Sequence, residues 1–267
     1  MYTLHFFLQN KGGVGKTTLA SFFSQYLISR GKPVVIVDAD PSNKSLLNYT
    51  GLKIAEFDYM SDNIADIFKF DPFFDSLLDT LEDNSHCVFD VGASGYNDFM
   101  NYLFQQDDSF DILSSQATIY MHNIIPSSRD MVLSCIGGLK QAIDNTKKYN
   151  VPFILWQNRM DGEIKIEGDN KTYLSSIKET NIFNEIRDRA YIVEIEDLTP
   201  KKKEILASAV HKMIRNTLTL KQVVESDLEV KFTRQDRIRC KSYMNRIYDQ
   251  LDKIFNYNTK IDAIVEG

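Results

Sequence analysis

Short apolar runs alternate with amphipathic stretches along most of the chain. An apolar run without polar alternation predicts a buried strand, and six segments fit this description: 2–8, 33–37, 87–91, 118–125, 152–156 and 190–195. Apolar residues recur at helical spacing in four others, which predict helices at 17–29, 131–149, 200–225 and 230–255. Strands that alternate with helices predict a predominantly parallel, twisted α/β sheet with helices on both faces.

A glycine-rich segment lies between the first predicted strand and the first predicted helix. It reads Asn-Lys-Gly-Gly-Val-Gly-Lys-Thr-Thr and spans residues 10–18. Glycines let backbone N–H groups turn inward around phosphate oxygens, and the N-terminus of the following helix adds partial positive charge. In such a loop Lys16 reaches the β- and γ-phosphates and the Thr17 hydroxyl binds magnesium. The segment therefore predicts a P-loop site for ATP and Mg²⁺, formed by Lys11, Gly12, Gly13, Val14, Gly15, Lys16, Thr17 and Thr18.

Acidic residues mark the ends of the next two predicted strands. Asp38 and Asp40 close the second strand in the run Asp-Ala-Asp-Pro, and Asp90 lies at the end of the third. Open α/β sheets bind ligands at the carboxyl ends of their strands, so these acids are expected close to the glycine-rich loop. Asp90 is the natural candidate for an acid that holds a magnesium-bound water.

The glycine-rich loop departs from the general P-loop pattern in two positions. Asn10 replaces the first glycine, and Lys11 is an additional lysine. In this the loop resembles the deviant Walker A motif of the ParA/MinD superfamily, Lys-Gly-Gly-x-Gly-Lys-Thr. The resemblance implies an enzyme that hydrolyses ATP to ADP and phosphate as a nucleotide-sandwich homodimer. It also implies that Lys11 reaches the partner's phosphates like an arginine finger, beside Lys16 and Asp40 as further catalytic candidates.

The Asp-x-Asp-Pro run matches the same superfamily. By resemblance, Asp38 supports the water shell of the metal together with Thr17 and Asp90, and Asp40 positions or activates the attacking water. An asparagine at the position of Asn158 often hydrogen-bonds the adenine edge in the superfamily, which makes Asn158 and the following Arg159 candidates for base binding. An asparagine after a strand is also a common turn former, and both interpretations stay open.

After Asp90 this chain continues Val-Gly-Ala-Ser, where the superfamily often has prolines. Several segments resemble the plasmid TraL/StbB branch of the superfamily in particular, namely 5–16, 90–94, 155–158, 167–168 and 233–237. The branch implies a role in plasmid stability, positioning or conjugative transfer. The leading hypothesis is thus an ATP-dependent dimerising switch whose hydrolysis a DNA-binding adaptor protein stimulates.

Three other functions occur on this scaffold. A carboxylate-activating synthetase would carry a dedicated substrate constellation, and the sequence shows none. An iron–sulfur ATPase would need cluster-ligating thiolates, but Cys87 lies in a predicted strand and Cys135 in a predicted helix. A MinD-like membrane switch would need a helix with a basic polar face, whereas Asp249 and Asp252 interrupt that face in the helix at 243–255. That helix is expected to dock on the core, so membrane binding is not favoured.

Composition and charge complete the sequence-based picture. The chain has 267 residues, 43% of them hydrophobic, and a formal net charge of -6. This size predicts a single P-loop domain over 1–267 with a helical segment at about 200–256. Three dispersed cysteines and the lack of any membrane-spanning run favour a cytoplasmic protein.

The charges are unevenly distributed, with an acid-rich segment at 56–111 and a basic last quarter. Such asymmetry either forms two solvated surfaces or marks a binding face. In the second case the ATP-bound dimer binds DNA without sequence preference, through Lys201, Lys202, Lys203, Arg215, Arg234, Arg237, Arg239 and Lys241.

Overall fold

The fold is built on a central seven-stranded sheet. The computed structural model describes residues 1–62, 64–105, 108–168, 173–225 and 230–256. The strands, in chain order, are β1 (Tyr2–Leu8), β2 (Val34–Asp38), β3 (Ile54–Glu56), β4 (Met60–Ser61), β5 (Ile64–Ala65), β6 (His86–Val91), β7 (Ala117–Pro126), β8 (Phe153–Asn158), β9 (Ile166–Glu167), β10 (Tyr173–Leu174) and β11 (Ala190–Ile195). The sheet has the order β11-β8-β7-β1-β6-β2-β3, and every neighbouring pair in it is parallel. Strands β4 with β5 and β9 with β10 form two small antiparallel pairs.

Helices cover both faces of the sheet, as predicted. The α-helices are α1 (Lys16–Ser29), α2 (Phe70–Thr80), α3 (Tyr96–Gln105), α4 (Ser109–Gln116), α5 (Arg129–Asn145), α6 (Asn181–Asn184), α7 (Pro200–Arg215), α8 (Leu220–Glu225) and α9 (Arg234–Phe255). Helices α2 to α5 pack mainly into one hydrophobic core, and α1, α7, α8 and α9 form the other. Strand β1 supplies both cores by the alternation of its side chains: Leu4 and Phe6 face α2 to α5, and Phe7 faces α1.

All six predicted strands are present, with their ends shifted by at most two residues. The helix predicted at 200–225 was wrong as one element, because the chain turns between α7 and α8. Thr217 has a positive φ of 48° at that turn, and Leu218 and Thr219 are buried there. Helix α5 begins at Arg129 and ends at Asn145 instead of residue 149. The Arg189 guanidinium donates to the carbonyl oxygens of Thr146, Tyr149 and Val151 just beyond that end.

The acid-rich segment contains elements that were not predicted. Strand β3 and helices α2, α3 and α4 all lie within residues 54–116. Helix α2 buries Phe70, Phe74, Leu77 and Leu78, so the helical spacing of its apolar residues was a usable signal.

Helix α9 docks on the core, as expected from the sequence. Its first turn begins with a reciprocal capping box between Thr233 and Asp236. Tyr243, Ile247 and Leu251 are buried in the core shared with α1. None of the helices in the described ranges is long and apolar enough to cross a bilayer.

Candidate functional site

A cleft of about 460 Å³ opens where β1, β2 and β6 end. It is lined by Lys11, Gly12, Gly13, Gly15, Lys16, Thr17, Thr18, Asp40, Ser42, Asn43, Ser45, Ala93 and Ser94. The loop residues and Asp40 were predicted from the sequence. The residues from the segments 42–45 and 93–94 were missed, although their small polar character directly after the strand-end acids was a signal. The structure thus brings three loops from neighbouring strands around one cleft.

The glycine-rich loop has a backbone conformation that depends on its glycines. Gly13 and Gly15 have φ values of +77° and +92°, in the left-handed region where side chains are strained. A Cβ on Gly15 would also lie 2.6 Å from Nδ2 of Asn158. That same Nδ2 donates a hydrogen bond to the Val14 carbonyl oxygen at 2.9 Å. The lack of a side chain at Gly15 therefore lets Asn158 approach the loop closely enough to hydrogen-bond its backbone.

Lys16 and Asp90 form a buried ion pair behind the cleft. Lys16 is 7% exposed and Asp90 is 1% exposed, and the Nζ atom contacts Oδ1 of the carboxylate. They meet because α1 begins at Lys16 and because β6 lies beside β1, with Phe7 opposite Asp90. The second carboxylate oxygen of Asp90, Oδ2, is buried and has no hydrogen-bond partner within the described ranges. A buried charge without a partner is costly, so each residue of the pair compensates the buried charge of the other.

The residues around Asp90 fit a magnesium ion. The Thr17 hydroxyl lies in the cleft and is 3.1 Å from the Ser45 hydroxyl. Asp90 is not part of the cleft lining, but it pairs with Lys16, which is, and its buried, unpartnered Oδ2 is an oxygen of the kind that magnesium prefers. Magnesium prefers oxygen ligands and keeps several of its waters, which suits a small number of protein oxygens at one side of an open cleft.

Asp38 lies opposite Asp90 in the register of β2 and β6, but it does not line the cleft. Its Oδ1 accepts a hydrogen bond from the Asp40 N–H at 3.1 Å, and its Oδ2 accepts from the Leu46 and Leu47 N–H groups at 3.0 and 3.2 Å. Burial raises the pKa of the Asp38 carboxyl, and the nearby charge of Asp90 adds to this, although the N–H donors oppose it. In this structure Asp38 orders the segment that carries Asp40.

Asp40 occupies the cleft and rests against the loop that follows β6. Its Oδ1 accepts hydrogen bonds from the Ser42 and Asn43 N–H groups, both at 3.0 Å. A Cβ on Gly92 would overlap the Asp40 carboxylate. The glycine that departs from the superfamily's prolines therefore makes room for Asp40.

Lys11 differs from Lys16 in its surroundings. Its side chain is exposed at the cleft, and the ion pairs of the described residues do not include it. The loop thus carries one buried lysine and one that faces outward.

Asn158 and Arg159 occupy different places. Asn158 is the last residue of β8 and is 6% exposed, and besides supporting Val14 its Oδ1 accepts from the Met160 N–H at 3.2 Å. Arg159 lines a second cleft, of about 520 Å³, where it pairs with Glu194 at 3.3 Å. The structure does not bring Arg159 into the phosphate cleft, and the base-binding role of both residues stays a prediction.

The basic residues proposed for DNA binding have mixed environments. Lys203 pairs with Glu196 at 2.7 Å, Arg237 donates to the Val224 carbonyl oxygen at 3.0 Å, and Arg239 pairs with Asp236 at 3.4 Å. Three others are exposed and form no ion pair with described residues, namely Arg215, Arg234 and Lys241. The side chains of Lys201 and Lys202 lie outside the described part of the chain.

Cysteines and histidines show no sign of a metal centre in the described ranges. No group of three or more histidine, cysteine, aspartate or glutamate side chains is arranged there to hold a metal ion. Cys87, Cys135 and Cys240 are free thiols buried on β6, α5 and α9.

The sheet is parallel, a glycine-rich loop joins β1 to α1, and the adjacent strand carries an acid. These features define a P-loop nucleotide-binding protein of the α/β class. Comparison with known families narrows this class. The model of the CobQ/CobB/MinD/ParA nucleotide-binding domain matches residues 6–255, and the chain belongs to that family.

Individual relatives agree with this assignment. Two proteins named TraL from Escherichia coli are 24% and 23% identical to this chain over 252 residues, which is 94% of this chain and 98% of each relative. Among solved structures, the MinC:MinD cell division protein complex of Aquifex aeolicus matches with a TM-score of 0.51 at 14% identity, covering 95% of this chain and 96% of that one. A putative plasmid partition protein from Borrelia burgdorferi, bound to AMPPNP, matches with a TM-score of 0.50 at 14% identity, covering 97% and 100%. The structural likenesses show a shared fold.

Proposed function

We propose that this protein is an ATPase switch of the ParA/MinD type, which binds ATP with Mg²⁺, dimerises, and hydrolyses ATP to ADP and phosphate. Its process would be plasmid or DNA partition, positioning or conjugative transfer, in the cytoplasm. One observation carries the proposal: the two lysines of a single loop have opposite environments. Lys16 is buried and forms an ion pair with Asp90, whereas Lys11 is exposed at the cleft. A P-loop needs only one lysine for its own nucleotide, so an outward second lysine suits a nucleotide held by a partner subunit.

In this proposal each residue of the site has one role in binding ATP and Mg²⁺ or in hydrolysis. The loop N–H groups and Lys16 bind the phosphates, for which Lys16 leaves Asp90. Thr17 and Asp90 would hold Mg²⁺, which supplies positive charge next to the phosphate oxygens. Asp38 keeps the segment after β2 in place through its backbone hydrogen bonds. Asp40, which stands in the cleft, orients the attacking water.

The relatives support the cellular part of the proposal. Proteins named TraL match nearly the whole chain, and a structure titled as a putative plasmid partition protein holds an ATP analogue on the same fold. Another neighbour is a complex of MinD with a second protein, MinC. By analogy we propose a homodimer that is regulated by a DNA-binding adaptor.

The decisive variant is Lys11→Ala. We expect it to keep the wild-type affinity for ATP in calorimetry, because among the described residues Lys11 forms no side-chain hydrogen bond or ion pair that would hold its own loop. We also expect it to lose the ATP-dependent dimer in light scattering, and to lower kcat by about a thousandfold, the low end of what an arginine finger contributes. Lys53→Ala, at another exposed lysine, is the control and should behave as wild type.

Two results would overturn the proposal. A Lys11→Ala dimer of normal strength in ATP would remove the role of Lys11 in the partner's site. Failure of the wild-type protein to bind ATP would remove the nucleotide site itself.

A further inference from the structure

A single glycine of α5, Gly138, lies against the residue that begins the phosphate loop. The Asn10 amide donates from Nδ2 to the Ser134 carbonyl oxygen at 3.0 Å. A Cβ on Gly138 would lie 2.8 Å from Asn10 Oδ1 and 2.9 Å from its Cγ. The amide of Asn10 therefore occupies space that any side chain at position 138 would fill, and it is seated in a notch of the helix.

The same glycine is also bound from a second side. The Tyr96 hydroxyl donates to the Gly138 carbonyl oxygen at 3.1 Å. Burial raises the pKa of Tyr96 to about 12, so the hydroxyl keeps its proton at neutral pH and remains a donor. Tyr96 is 1% exposed and is the first residue of α3, directly after the loop formed by residues 92–95.

The two segments that meet at Gly138 flank the candidate cleft. Asn10 directly precedes Lys11, which lines the cleft, and the 92–95 loop contributes Ala93 and Ser94 to it. The 92–95 loop also borders Asp40, through Gly92. Pairing of β1 with β6 fixes where the two loops begin, but a glycine-rich loop has many accessible conformations beyond its strand, and attachment of both loops to one helix restricts their relative movement further.

We propose that Asn10 and Tyr96 are positioning residues, which fasten the phosphate loop and the 92–95 loop to one point of α5 at Gly138. Asn10 explains a departure from the general P-loop pattern, because the glycine found there in other loops could not reach α5. Any effect of this attachment on ATP binding and hydrolysis rests on the proposed function, because the phosphate loop would bind the phosphates and the 92–95 loop borders Asp40, which would orient the water. The fastening itself depends only on contacts within this chain.

The chain offers a matched control in the neighbouring glycine. A Cβ on Gly137 would meet nothing within 4 Å, whereas a Cβ on Gly138 would collide with Asn10. Both substitutions to alanine raise helix propensity equally, so a difference between them reports the notch alone.

The first experiment measures amide hydrogen exchange in the nucleotide-free protein. Gly138→Ala should raise exchange by about tenfold or more in both segments 10–16 and 92–96, because the displaced helix releases both attachments. Gly137→Ala should leave both unchanged. Tyr96→Phe should raise exchange in 92–96, and Asn10→Ala should raise it in 10–16. If Gly138→Ala matches Gly137→Ala, the proposal is wrong.

A double variant guards against a general effect on α5. In the Asn10→Ala background the notch is empty, so adding Gly138→Ala should change the exchange of segment 10–16 no further. An equal increment in both backgrounds would mean that Gly138→Ala disturbs the helix by another route, and would overturn the fastening by Asn10.

The second experiment separates binding from turnover. Asn10→Ala should weaken ATP binding about tenfold, and Tyr96→Phe should keep the ATP affinity but lower kcat about tenfold, because it leaves the phosphate loop in place. A loss of affinity and kcat in equal measure for Tyr96→Phe would contradict a positioning role. If wild-type protein binds no ATP, the proposed function fails, while the exchange measurements still decide whether the two loops are fastened at Gly138.

Discussion

At the scale of single residues, Lys16 is a side chain with two partners. It lies on Asp90 in the structure, and the proposed function moves it to the phosphates of ATP. Once Lys16 leaves, the Asp90 carboxylate is a buried charge in need of another cation. The magnesium ion that we propose at Asp90 would supply one, so nucleotide and metal binding should each strengthen the other.

Lys16→Ala should abolish ATP binding and also destabilise the nucleotide-free protein. Loss of one partner of a buried ion pair typically costs about 3–5 kcal/mol, because the other charge stays buried. Calorimetry with ATP and urea unfolding measure the two effects. Adding Asp90→Asn to Lys16→Ala should recover part of the unfolding free energy without restoring binding. Unchanged ATP affinity in Lys16→Ala would contradict the P-loop assignment.

The sequence located most of the cleft residues but not their contacts. Motif spacing predicted Lys16, Thr17 and Asp40 as site residues, and all three line the cleft, because a loop after one strand and an acid at the end of another lie at the same edge of a parallel sheet. It could not show that Asn158 supports the loop through Val14, since that contact joins segments far apart in sequence. Local patterns carry no information on such pairs.

At the scale of elements, four adjacent strands are joined by a chain of buried hydrogen bonds. Trp156 Nε1 on β8 lies 3.0 Å from His122 Nδ1 on β7, His122 Nε2 lies 3.1 Å from His5 Nδ1 on β1, and His5 Nε2 lies 3.0 Å from His86 Nδ1 on β6. The indole can only donate, so His122 accepts at Nδ1, and His122 and His5 in turn donate from Nε2 to the Nδ1 of the next histidine. This direction requires all three imidazoles to be neutral.

The histidine chain should make the fold acid-sensitive. Burial lowers the pKa of His5 and His122 well below the usual value, with further lowering of His5 by His122 and His86. Burial, helped by Lys32, lowers the pKa of His86 to about 4. Below a pH of about 6.5 these histidines bind protons in the unfolded chain, whereas in the folded protein they stay neutral to a lower pH. Their contribution to the free energy of unfolding is therefore fully present above that pH and is lost as the pH falls towards 4.

The expected loss is about 3 kcal/mol from His86 alone, since each pKa unit corresponds to about 1.4 kcal/mol. Urea unfolding measured between pH 7.5 and 4.5 tests this. His86→Gln, whose amide oxygen can accept from His5, should reduce the pH dependence. His211→Gln, at a partly exposed histidine of α7 outside the histidine chain, is the control for the substitution itself. If His86→Gln does not alter the pH dependence of the unfolding free energy, then His86 is not the source of the acid sensitivity.

Two glycines in α5 and the edge of the sheet show what element-level patterns leave out. Helix α5 continues through Gly137 and Gly138, although glycine is unfavourable inside a helix, and the lack of a side chain at Gly138 leaves room for the Asn10 amide. At the edge, Gln250 of α9 accepts from the Glu194 N–H at 2.8 Å and donates to its carbonyl oxygen at 3.0 Å. The side chain thereby takes the place of a further strand on β11, which limits edge pairing with other chains.

At the scale of the whole molecule, the central sheet separates the two charged segments. The acid-rich segment supplies α2, α3 and α4 to the core on one face, and the basic last quarter supplies α7, α8 and α9 to the core on the other. An asymmetry along the chain thus becomes an asymmetry between two faces of the molecule. A basic DNA-binding face stays a prediction, and several of its cations are held by neighbouring groups.

The DNA hypothesis predicts a steep salt dependence. If the ATP-bound dimer binds random duplex through phosphate contacts, its affinity for DNA should fall strongly between low and physiological salt. The ADP-bound protein should bind DNA more weakly, because two patches no longer act together, and its affinity should show the same salt trend. Reversing Arg215, Arg234 and Lys241 to glutamate should flatten the salt slope by about one unit per residue. Lys178→Glu, beside Ile177 in the core of the opposite face, is the control.

The measurement is a salt titration of binding to random duplex, with ATP and with ADP. Absence of binding by ATP-loaded wild type even at low salt would contradict direct DNA binding. The proposed DNA-binding adaptor would then make the contact to DNA.

The sequence by itself determined the order of the strands along the chain, the two-faced helical cover and the phosphate loop with its neighbouring acids. These follow from local hydrophobic period and from a motif whose residues are contiguous. Only the tertiary structure decided the pairing of Lys16 with Asp90, the histidine chain across β6, β1, β7 and β8, and the meeting of Asn10 and Tyr96 at Gly138. Each of these joins residues that become neighbours only when the sheet forms in its own strand order, which no local pattern specifies.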